Sequence, residues 1–252
     1  MDNTVGFTFF GDLLGISGFY RLAPEIARKK LNEFYNTTFF SLSDYCRNGA
    51  RTEMFSDSVL VYGPDALTAL RELHQVYVKL LHKGLLLRGA IVKGMLQYEQ
   101  RLTHENYEKR LPTGDTLARA VGLEKTQKGA RLLIENSLAQ ELLIGQPEWL
   151  THDGYVRHVT NPNQYNLQYD DIRRRICPTP DQDGFECLYF WICDKTFFHS
   201  WPDYEASKTQ LVEIKKMLGQ TIGVHYSETI ELLKRCRTRQ AFTAQNMDIA
   251  QT

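Results

Sequence analysis

Two aspartates carry the chemistry that this sequence offers. Asp12 follows an apolar run in TFFGDLLGIS and precedes a glycine-containing bend, whereas Asp57 stands between Ser56 and Ser58 in MFSDSVLV. A buried lone carboxylate is costly, so an acid placed like Asp12 is exposed, paired or bound to a cation. Two carboxylates with small neighbours can hold hard divalent cations through oxygen, as two-metal phosphoryl transfer requires. The alternative is structural, with Asp12 capping the bend and Asp57 in a type I turn.

The surrounding elements are predicted to bring these two acids together. TVGFTFFGDL is typical of a strand, and Pro24 opens an amphipathic helix that runs to about Cys46. RTEMF and SVLVYG follow as two strands, and the short junction FSDS predicts a hairpin. In a β-α-β-β unit the end of the first strand meets the tip of the next hairpin, so Asp57 is the expected partner of Asp12. The apolar face of the helix is expected to contain Ile26, Leu31, Phe34 and Phe39.

The remaining pattern predicts an α+β fold. A helix near Pro64 precedes the strand LLLRGAIVKG, the helix GDTLARAVGLEKTQ and the strand GARLLIENS. The order β-α-β-β-α-β-α-β implies an antiparallel-containing sheet with helices on one face. A polar, turn-rich excursion and the strand CLYFWIC are expected next, followed by helices over 204–218, ending at Gly219, and over 228–239, capped by Ser227. We therefore divide the chain into a domain over 1–200 and a helical extension over 201–252.

Composition excludes several classes of function. The chain has 252 residues, with 30 acidic and 30 basic side chains, so it shows no basic excess for nucleic acid or a membrane surface. No apolar run reaches the length of a membrane span and no signal peptide is visible, which predicts a cytoplasmic protein. The five cysteines are scattered and indicate free thiols. His74 and His82 are expected on a helix surface.

Four strings, in order, resemble the class III nucleotidyl cyclases. FFGDLLGISGF resembles the opening metal-binding segment of that family, and EMFSDSVLVYG is similar to its second metal segment. LRGAIVKG resembles the central strand, and PTGDTLARAVGLEKTQKGARLLIENSL the turn, helix and strand that follow. The resemblance covers residues 7–137, about half of the chain. It implies a class III cyclase-like sheet of the ferredoxin-like βαββαβ type, with C-terminal helices added.

The resemblance also implies a reaction and a cofactor. The 3′-hydroxyl of a nucleoside triphosphate would attack its own α-phosphorus, and pyrophosphate would leave. Two divalent ions, Mg²⁺ or Mn²⁺, would bridge Asp12 and Asp57. The carbonyl of Leu13 and the backbone amides of LLGIS, including that of Gly15, would complete the metal and phosphate cradle. Members of the family act as dimers with shared sites, so a homodimer is expected.

The chain departs from the family pattern in the helix after Gly114. The family places an asparagine and, four residues later, an arginine there, whereas this chain has Ala118 and Gly122. Arg119 is the expected catalytic substitute, and a solvated helix charge is the alternative. The family's late lysine has no matching motif, and its candidates are Lys93, Arg88 and the RRR run at 173–175.

The predicted base-reading residues favour a pyrimidine. The position four before the second metal aspartate is Glu53, and strand parity places Arg51 on the same face. A carboxylate acceptor beside a guanidinium donor suits the N3–H and carbonyl edge of uracil, and a surface ion-pair ladder is the alternative. The other base-contacting position of the family falls near Leu111.

A stand-alone domain of this kind resembles the bacterial pyrimidine cyclases of antiphage defence. We therefore predict a uridylate cyclase that converts UTP to cyclic UMP as a second messenger. Cytidylate or guanylate cyclase activity, and a catalytically silent nucleotide-binding domain, remain alternatives. A palm-like nucleotidyltransferase shares the βαββ geometry, but the neutral charge disfavours it.

Overall fold

The computed structural model contains a mixed sheet with flanking helices. It describes residues 4–99, 103–104, 107–108, 111–144, 176–178, 185–187 and 201–249. The strands are β1 (Phe7–Leu13), β2 (Arg51–Phe55), β3 (Ser58–Gly63), β4 (Leu87–Lys93), β5 (Gln97–Tyr98), β6 (Thr103–His104), β7 (Tyr107–Glu108), β8 (Pro112–Thr113), β9 (Leu132–Ile134), β10 (Ile176–Pro178) and β11 (Phe185–Cys187). The helices are α1 (Ile16–Leu22), α2 (Pro24–Arg47), α3 (Ala66–His82), α4 (Thr116–Glu124), α5 (Asn136–Leu142) and α6 (Trp201–Ile249).

The main sheet has the strand order β10-β11-β9-β4-β1-β3-β2. Its four strands β4-β1-β3-β2 are antiparallel and are built from one βαββαβ unit, so the α+β class and the predicted order are confirmed. Strand β9 pairs with β4 in parallel, and β11 and β10 extend the sheet beyond it. Two-stranded ladders, β5 with β8 and β6 with β7, lie outside the main sheet.

One face of the sheet packs against α2 and α3. Residues of β1 alternate between the two faces, and Phe7 and Phe9 are fully buried on this side. They belong to one hydrophobic cluster with Phe34 of α2 and Leu73 of α3. The spacing of apolar residues along α3 explains this packing, and Asp65 caps its first turn through two backbone amides.

Helix α4 lies on the opposite face, which corrects the prediction of helices on one face only. Arg88 of β4 stands directly across from Asp12 of β1, so both side chains leave the face that is turned away from Phe9. The Arg88 guanidinium pairs with the buried carboxylate of Glu124, the last residue of α4. A helix that reaches Arg88 must cover that second face, and hydrophobic patterning alone gave no sign of this ion pair.

Helix α6 passes over the strand ends at one end of the sheet, where β1 ends and where β4 and β9 begin. Its side chains meet the backbone at Gly84, at Gly15 and at Gly129, one at each of these three points. Leu211 and Tyr226 are fully buried in the same hydrophobic cluster as the sheet. The division at residue 200 stays a prediction, although this packing joins the described part of α6 to the sheet.

A break at Gly219 divides α6 into two helices, so the predicted end of the first of them is confirmed. Gly219 takes a non-helical conformation, with φ 76°, where the first helix was expected to end. Helical structure resumes directly afterwards, so Ser227 lies inside the helix and donates to the carbonyl of Gly223 instead of capping. The prediction of Ser227 as an N-cap is therefore wrong, because an interior serine can bond the preceding turn.

Several local predictions also differ from the structure. The bend after Asp12 contains the short helix α1, and β10 lies within the segment expected to be irregular. His74 is buried, whereas His82 is exposed as predicted. On α2, Phe34 is buried, but Ile26 and Phe39 are exposed.

Two predictions fall partly or wholly outside the described residues. CLYFWIC meets the description only at Cys187, the last residue of β11, and the RRR run at 173–175 lies outside it. Within the described part of the chain, no helix has both the length and the apolar character needed to cross a membrane.

Candidate functional site

Asp12 and Asp57 meet at one end of the sheet. Asp12 is the penultimate residue of β1 and pairs in register with Ser58 on one side and with Arg88 on the other. The amide of Leu13 donates to the carbonyl of Asp57 at 2.8 Å, which joins the end of β1 to the hairpin tip. Ser58 Oγ donates to Asp12 Oδ1 at 3.3 Å. The structure therefore brings the two predicted metal residues together.

The β2–β3 turn presents Asp57 at this end of the sheet. Phe55 pairs with Ser58, so the hairpin loop consists of Ser56 and Asp57 alone. Ser56 has φ 54°, in the left-handed region, and such positive angles let a two-residue loop follow the twist of its strands. The tight loop places the backbone carbonyl of Asp57 against Leu13 and fixes the hairpin tip beside β1.

The electrostatic environment disfavours a charge on Asp12. Burial raises the pKa of Asp12 to about 6, and the neighbouring carboxylates of Asp57 and Glu124 act in the same direction. The hydrogen bond from Ser58 and the charge of Arg88 lower it, but by less. The site therefore concentrates negative charge around one half-buried carboxyl group, which is an arrangement that a cation would stabilise.

The donor set fits a hard divalent cation. Asp12, Asp57 and the predicted Leu13 carbonyl would supply oxygen ligands only, which suit Mg²⁺ or Mn²⁺. Among the residues that the structure describes, no group of three or more His, Cys, Asp or Glu side chains is arranged as a metal site. Mg²⁺ is usually bound through one or two carboxylates together with phosphate oxygens, so two carboxylates suffice only where a phosphate-bearing ligand adds its own oxygens.

Fewer backbone amides are available to bind phosphate than the LLGIS string was expected to supply. Leu13 N donates to Asp57 O, and Leu14 N donates to Leu86 O at 2.7 Å, which corrects the expectation for these two amides. Gly15 follows in a left-handed conformation with φ 88° and precedes α1. The first backbone hydrogen bond of α1 runs from Phe19 N to Gly15 O. The amides of residues 16–18 precede this bond in the first turn, where a helix gives its amides no partner of its own.

Helix α6 forms the wall behind this loop. A Cβ atom added at Gly15 would lie 3.1 Å from Tyr226 Oη and 3.2 Å from a Leu218 methyl carbon. The Tyr226 side chain is fully buried, and within the described part of the chain its hydroxyl has no hydrogen-bond partner. Burial raises the pKa of this phenol, which therefore keeps its proton.

The predicted base-reading residues form a second cluster with two tyrosines. Tyr62 Oη donates to Glu53 Oε1 at 2.9 Å, and Tyr98 Oη donates to Glu53 Oε2 at 3.2 Å. Arg51 is the register partner of Tyr62, so the parity that placed Arg51 and Glu53 on one face is confirmed. Leu111 is exposed, and its carbonyl accepts from Glu99 N at 3.0 Å, which places it beside Tyr98.

Sequence reasoning missed both tyrosines. Tyr62 carried a usable signal, because the hairpin register sets it opposite Arg51. Tyr98 carried none, since it reaches Glu53 across 45 positions from the separate ladder of β5 and β8.

Arg119 lies at the other end of the sheet. Its Nη2 donates to the carbonyl of Lys93 at 2.8 Å, and its guanidinium pairs with Glu135 and with Asp115. Lys93 is five positions along β4 from Arg88, which faces Asp12, a span of about 17 Å. Within one chain, Arg119 is therefore not brought to the two aspartates.

None of the other candidates near α4 is placed at the two aspartates as a free polar group. Ala118 and Gly122, which replace the family's polar residues, are exposed. Lys93 forms an ion pair with Glu141, and Arg88 is committed to Glu124.

Comparisons with known proteins find distant structural likenesses. No protein-family model and no curated protein matches the chain. The adenylyl cyclase CyaB from P. aeruginosa is 19% identical, with a TM-score of 0.47, over 57% of this chain and 82% of that one. The guanylyl cyclase Cya2 is 18% identical, with a TM-score of 0.45, over 54% and 76%. An adenylate cyclase from Trypanosoma brucei is 13% identical, with a TM-score of 0.45, over 73% and 86%.

Proposed function

We propose that this chain is a class III nucleotidyl cyclase that converts UTP to 3′,5′-cyclic UMP and pyrophosphate. The observation that carries the proposal is the meeting of Asp12 and Asp57, where burial and mutual repulsion raise the pKa of Asp12. In the reaction, a bond forms between the 3′-oxygen and the α-phosphorus, and the bond from the α-phosphorus to the oxygen that joins it to the β-phosphorus breaks, so that pyrophosphate leaves with that oxygen. The 3′-hydroxyl loses its proton to solvent as it attacks.

The chain's residues divide the work at this end of the sheet. Asp12, Asp57 and the carbonyl of Leu13 would hold two divalent ions, Mg²⁺ or Mn²⁺. Such ions, when bound, neutralise charge on the phosphates and lower the pKa of the attacking hydroxyl. Ser58 orients Asp12 through its hydrogen bond, and the first turn after Gly15 supplies amide donors to the phosphates.

Base selection is assigned to the second cluster. Glu53 would accept from N3–H of uracil, and Arg51 would donate to a carbonyl of the ring. Cytidylate and guanylate cyclisation are the alternatives, because a carboxylate also accepts from the amino group of cytosine and from N1–H of guanine. As in the pyrimidine cyclases that the sequence resembles, the product would serve as a second messenger in antiviral defence.

One observation favours a second candidate, a catalytically silent domain that binds nucleotide. Arg119 is engaged by Glu135 and Asp115, and no asparagine or arginine occupies the family positions at 118 and 122. A domain that has lost its transition-state groups would still retain the two acids and the base-reading cluster.

Product analysis separates the two candidates. Purified protein is incubated with ATP, GTP, CTP or UTP and with Mg²⁺ or Mn²⁺, and products are identified by mass spectrometry. We expect the wild type to form cyclic UMP and the Asp57→Asn variant to form none. Asp44→Asn is the matched control, because Asp44 is exposed on α2 and pairs only with nearby Arg47 among the contacts described. Cyclic nucleotide from Asp57→Asn at the wild-type rate would contradict the proposal.

A further inference from the structure

Glu53 is held from both sides by phenol donors. Tyr62 bonds one carboxylate oxygen at 2.9 Å and Tyr98 bonds the other at 3.2 Å. Burial, followed by the bond to Glu53, raises the pKa of Tyr62, so this phenol stays protonated and acts as the donor. A hydrogen bond to an ionised acceptor is stronger than one between neutral groups. Each oxygen of the carboxylate is therefore held by one phenol donor.

The two phenols come from different parts of the fold. Tyr62 belongs to β3 of the main sheet, whereas Tyr98 belongs to β5 in the ladder with β8. Their rings lie 6.3 Å apart at an angle of 71°, an edge-to-face contact that stabilises both. Glu53 itself lies on β2, the last strand of the main sheet. Its carboxylate thus connects the sheet to the small ladder.

We propose that Tyr62 and Tyr98 are positioning residues that orient Glu53 for recognition of the base. This inference rests on the proposed function, because it assumes that Glu53 contacts the base of the nucleotide. Neither tyrosine need touch the nucleotide, since each acts through the carboxylate.

The physical reason is the cost of ordering a long side chain. A free glutamate samples several rotamers, and fixing it at the moment of binding opposes affinity. Two phenols that fix it beforehand remove that cost for every nucleotide that uses the carboxylate. Discrimination against a base without a suitably placed N–H is preserved, because such a base gains nothing from the fixed acceptor.

The test replaces each phenol by a benzene ring. Tyr98→Phe and Tyr62→Phe keep the aromatic packing and remove one donor each. We expect KM for the preferred nucleotide to rise, and its kcat/KM advantage over ATP, whose ring N1 carries no proton for the carboxylate, to fall, by about tenfold, with kcat unchanged. Tyr45→Phe is the matched control, because the Tyr45 hydroxyl donates at 2.6 Å to the carbonyl of Asp65 instead of to Glu53.

A double-mutant cycle distinguishes positioning from general destabilisation. In a Glu53→Ala background, Tyr98→Phe should have no further effect on discrimination, because the group that it positions is gone. Equal effects of Tyr98→Phe with and without Glu53 would overturn the inference, as would unchanged KM and discrimination in both single variants. Cyclase activity lost with Asp57→Asn would meanwhile stand, so the two proposals fail separately.

Equilibrium binding provides a readout independent of turnover. If the wild type forms no cyclic product, the affinities of UTP, CTP, GTP and ATP are measured for the same variants in Mn²⁺. Base discrimination that is relaxed by Tyr98→Phe and Tyr62→Phe, but not by Tyr45→Phe, supports the inference without catalysis. The absence of nucleotide binding, or equal discrimination in all variants, overturns it.

Discussion

Asp12 carries its charge at a cost to the folded chain. Its pKa rises from 3.8 to about 6, so the folded state keeps a proton that the unfolded state loses in this interval. Stability due to this group therefore falls as pH rises from about 4 to about 6 and stays low above that. We predict that Asp12→Asn raises the melting temperature at neutral pH in the presence of a chelator. The gain should shrink as the pH falls towards 4, where the native carboxyl is protonated.

Thermal denaturation followed by circular dichroism across that pH range checks this prediction. Asp44→Asn is the control, since the exposed Asp44 pairs only weakly with Arg47 on the surface and should change the melting temperature little at any pH. A lower melting temperature for Asp12→Asn than for the wild type at neutral pH would contradict it. The proposed function would explain why a destabilising acid is kept at this position.

Single residues differed in how far sequence predicted them. The positions of Asp12 and Asp57 were predictable because Asp12 lies near the end of one recognisable strand and Asp57 in the turn after another, and the βαββ order sets where these strands end. The predicted surface position of His74 was wrong because helical spacing alone did not show how many sides of α3 are covered. Glu124 was not recognised, since a glutamate near a helix end is usually solvated, and only α4 packing on Arg88 buries it.

The junction of α1 and α6 limits what the loop after Asp12 can tolerate. Gly15 has φ 88°, and the position of a Cβ there is already crowded by Tyr226 and Leu218 of α6. We predict that Gly15→Ala lowers the free energy of unfolding by about 1–2 kcal/mol for the backbone conformation alone. The contact with the Tyr226 hydroxyl adds to this loss. Urea denaturation measures the total.

Gly49→Ala isolates the backbone contribution. Gly49 also has a positive φ, 102°, but nothing lies within 4 Å of the Cβ position. The excess loss of Gly15→Ala over Gly49→Ala should decrease when Tyr226→Phe removes the hydroxyl. Equal losses at the two glycines would show that α6 does not press on the loop.

Elements were predicted well where the pattern was long and poorly where it was short. The four strands of the βαββαβ unit and helices α2 and α3 follow from their periodicity and caps. Strand β10 has three residues and includes Pro178, so no alternation marked it. Helix α1 contains Gly18, and glycine disfavours helix unless packing compensates, as α6 does here. These short elements depend on tertiary contacts that no local pattern encodes.

At the scale of the whole molecule, one chain separates groups that the proposed reaction would use together. Arg119 is tied to the Lys93 end of β4, whereas Asp12 faces the Arg88 end. If Arg119 acts in catalysis, it must come from a second chain. We predict that Asp57→Ala and Arg119→Ala are each inactive and that mixing them restores about a quarter of wild-type activity. Random exchange in a two-fold dimer makes half of the dimers mixed, each with one intact site.

Product formation after mixing, with subunit exchange followed by native mass spectrometry, checks this prediction. Mixing Asp57→Ala with Asp12→Ala is the matched control, because both changes affect the same half of a shared site and no intact site can form. Activity of Arg119→Ala on its own would remove Arg119 from catalysis and leave its ion pairs with Glu135 and Asp115 as structural.

The packing of α6 against the β1–α1 loop also has a consequence for how the protein folds during its synthesis. Tyr226 lies about 210 positions after Gly15, yet both belong to the same packed corner of the molecule. At about 5–20 residues per second, a ribosome needs roughly 10–40 s to make that length of chain. The corner beside Asp12 thus stays incomplete while the residues between Gly15 and Tyr226 are synthesised. The nascent chain can pair strands β1 to β4 early, but it completes the acidic end only when α6 has emerged.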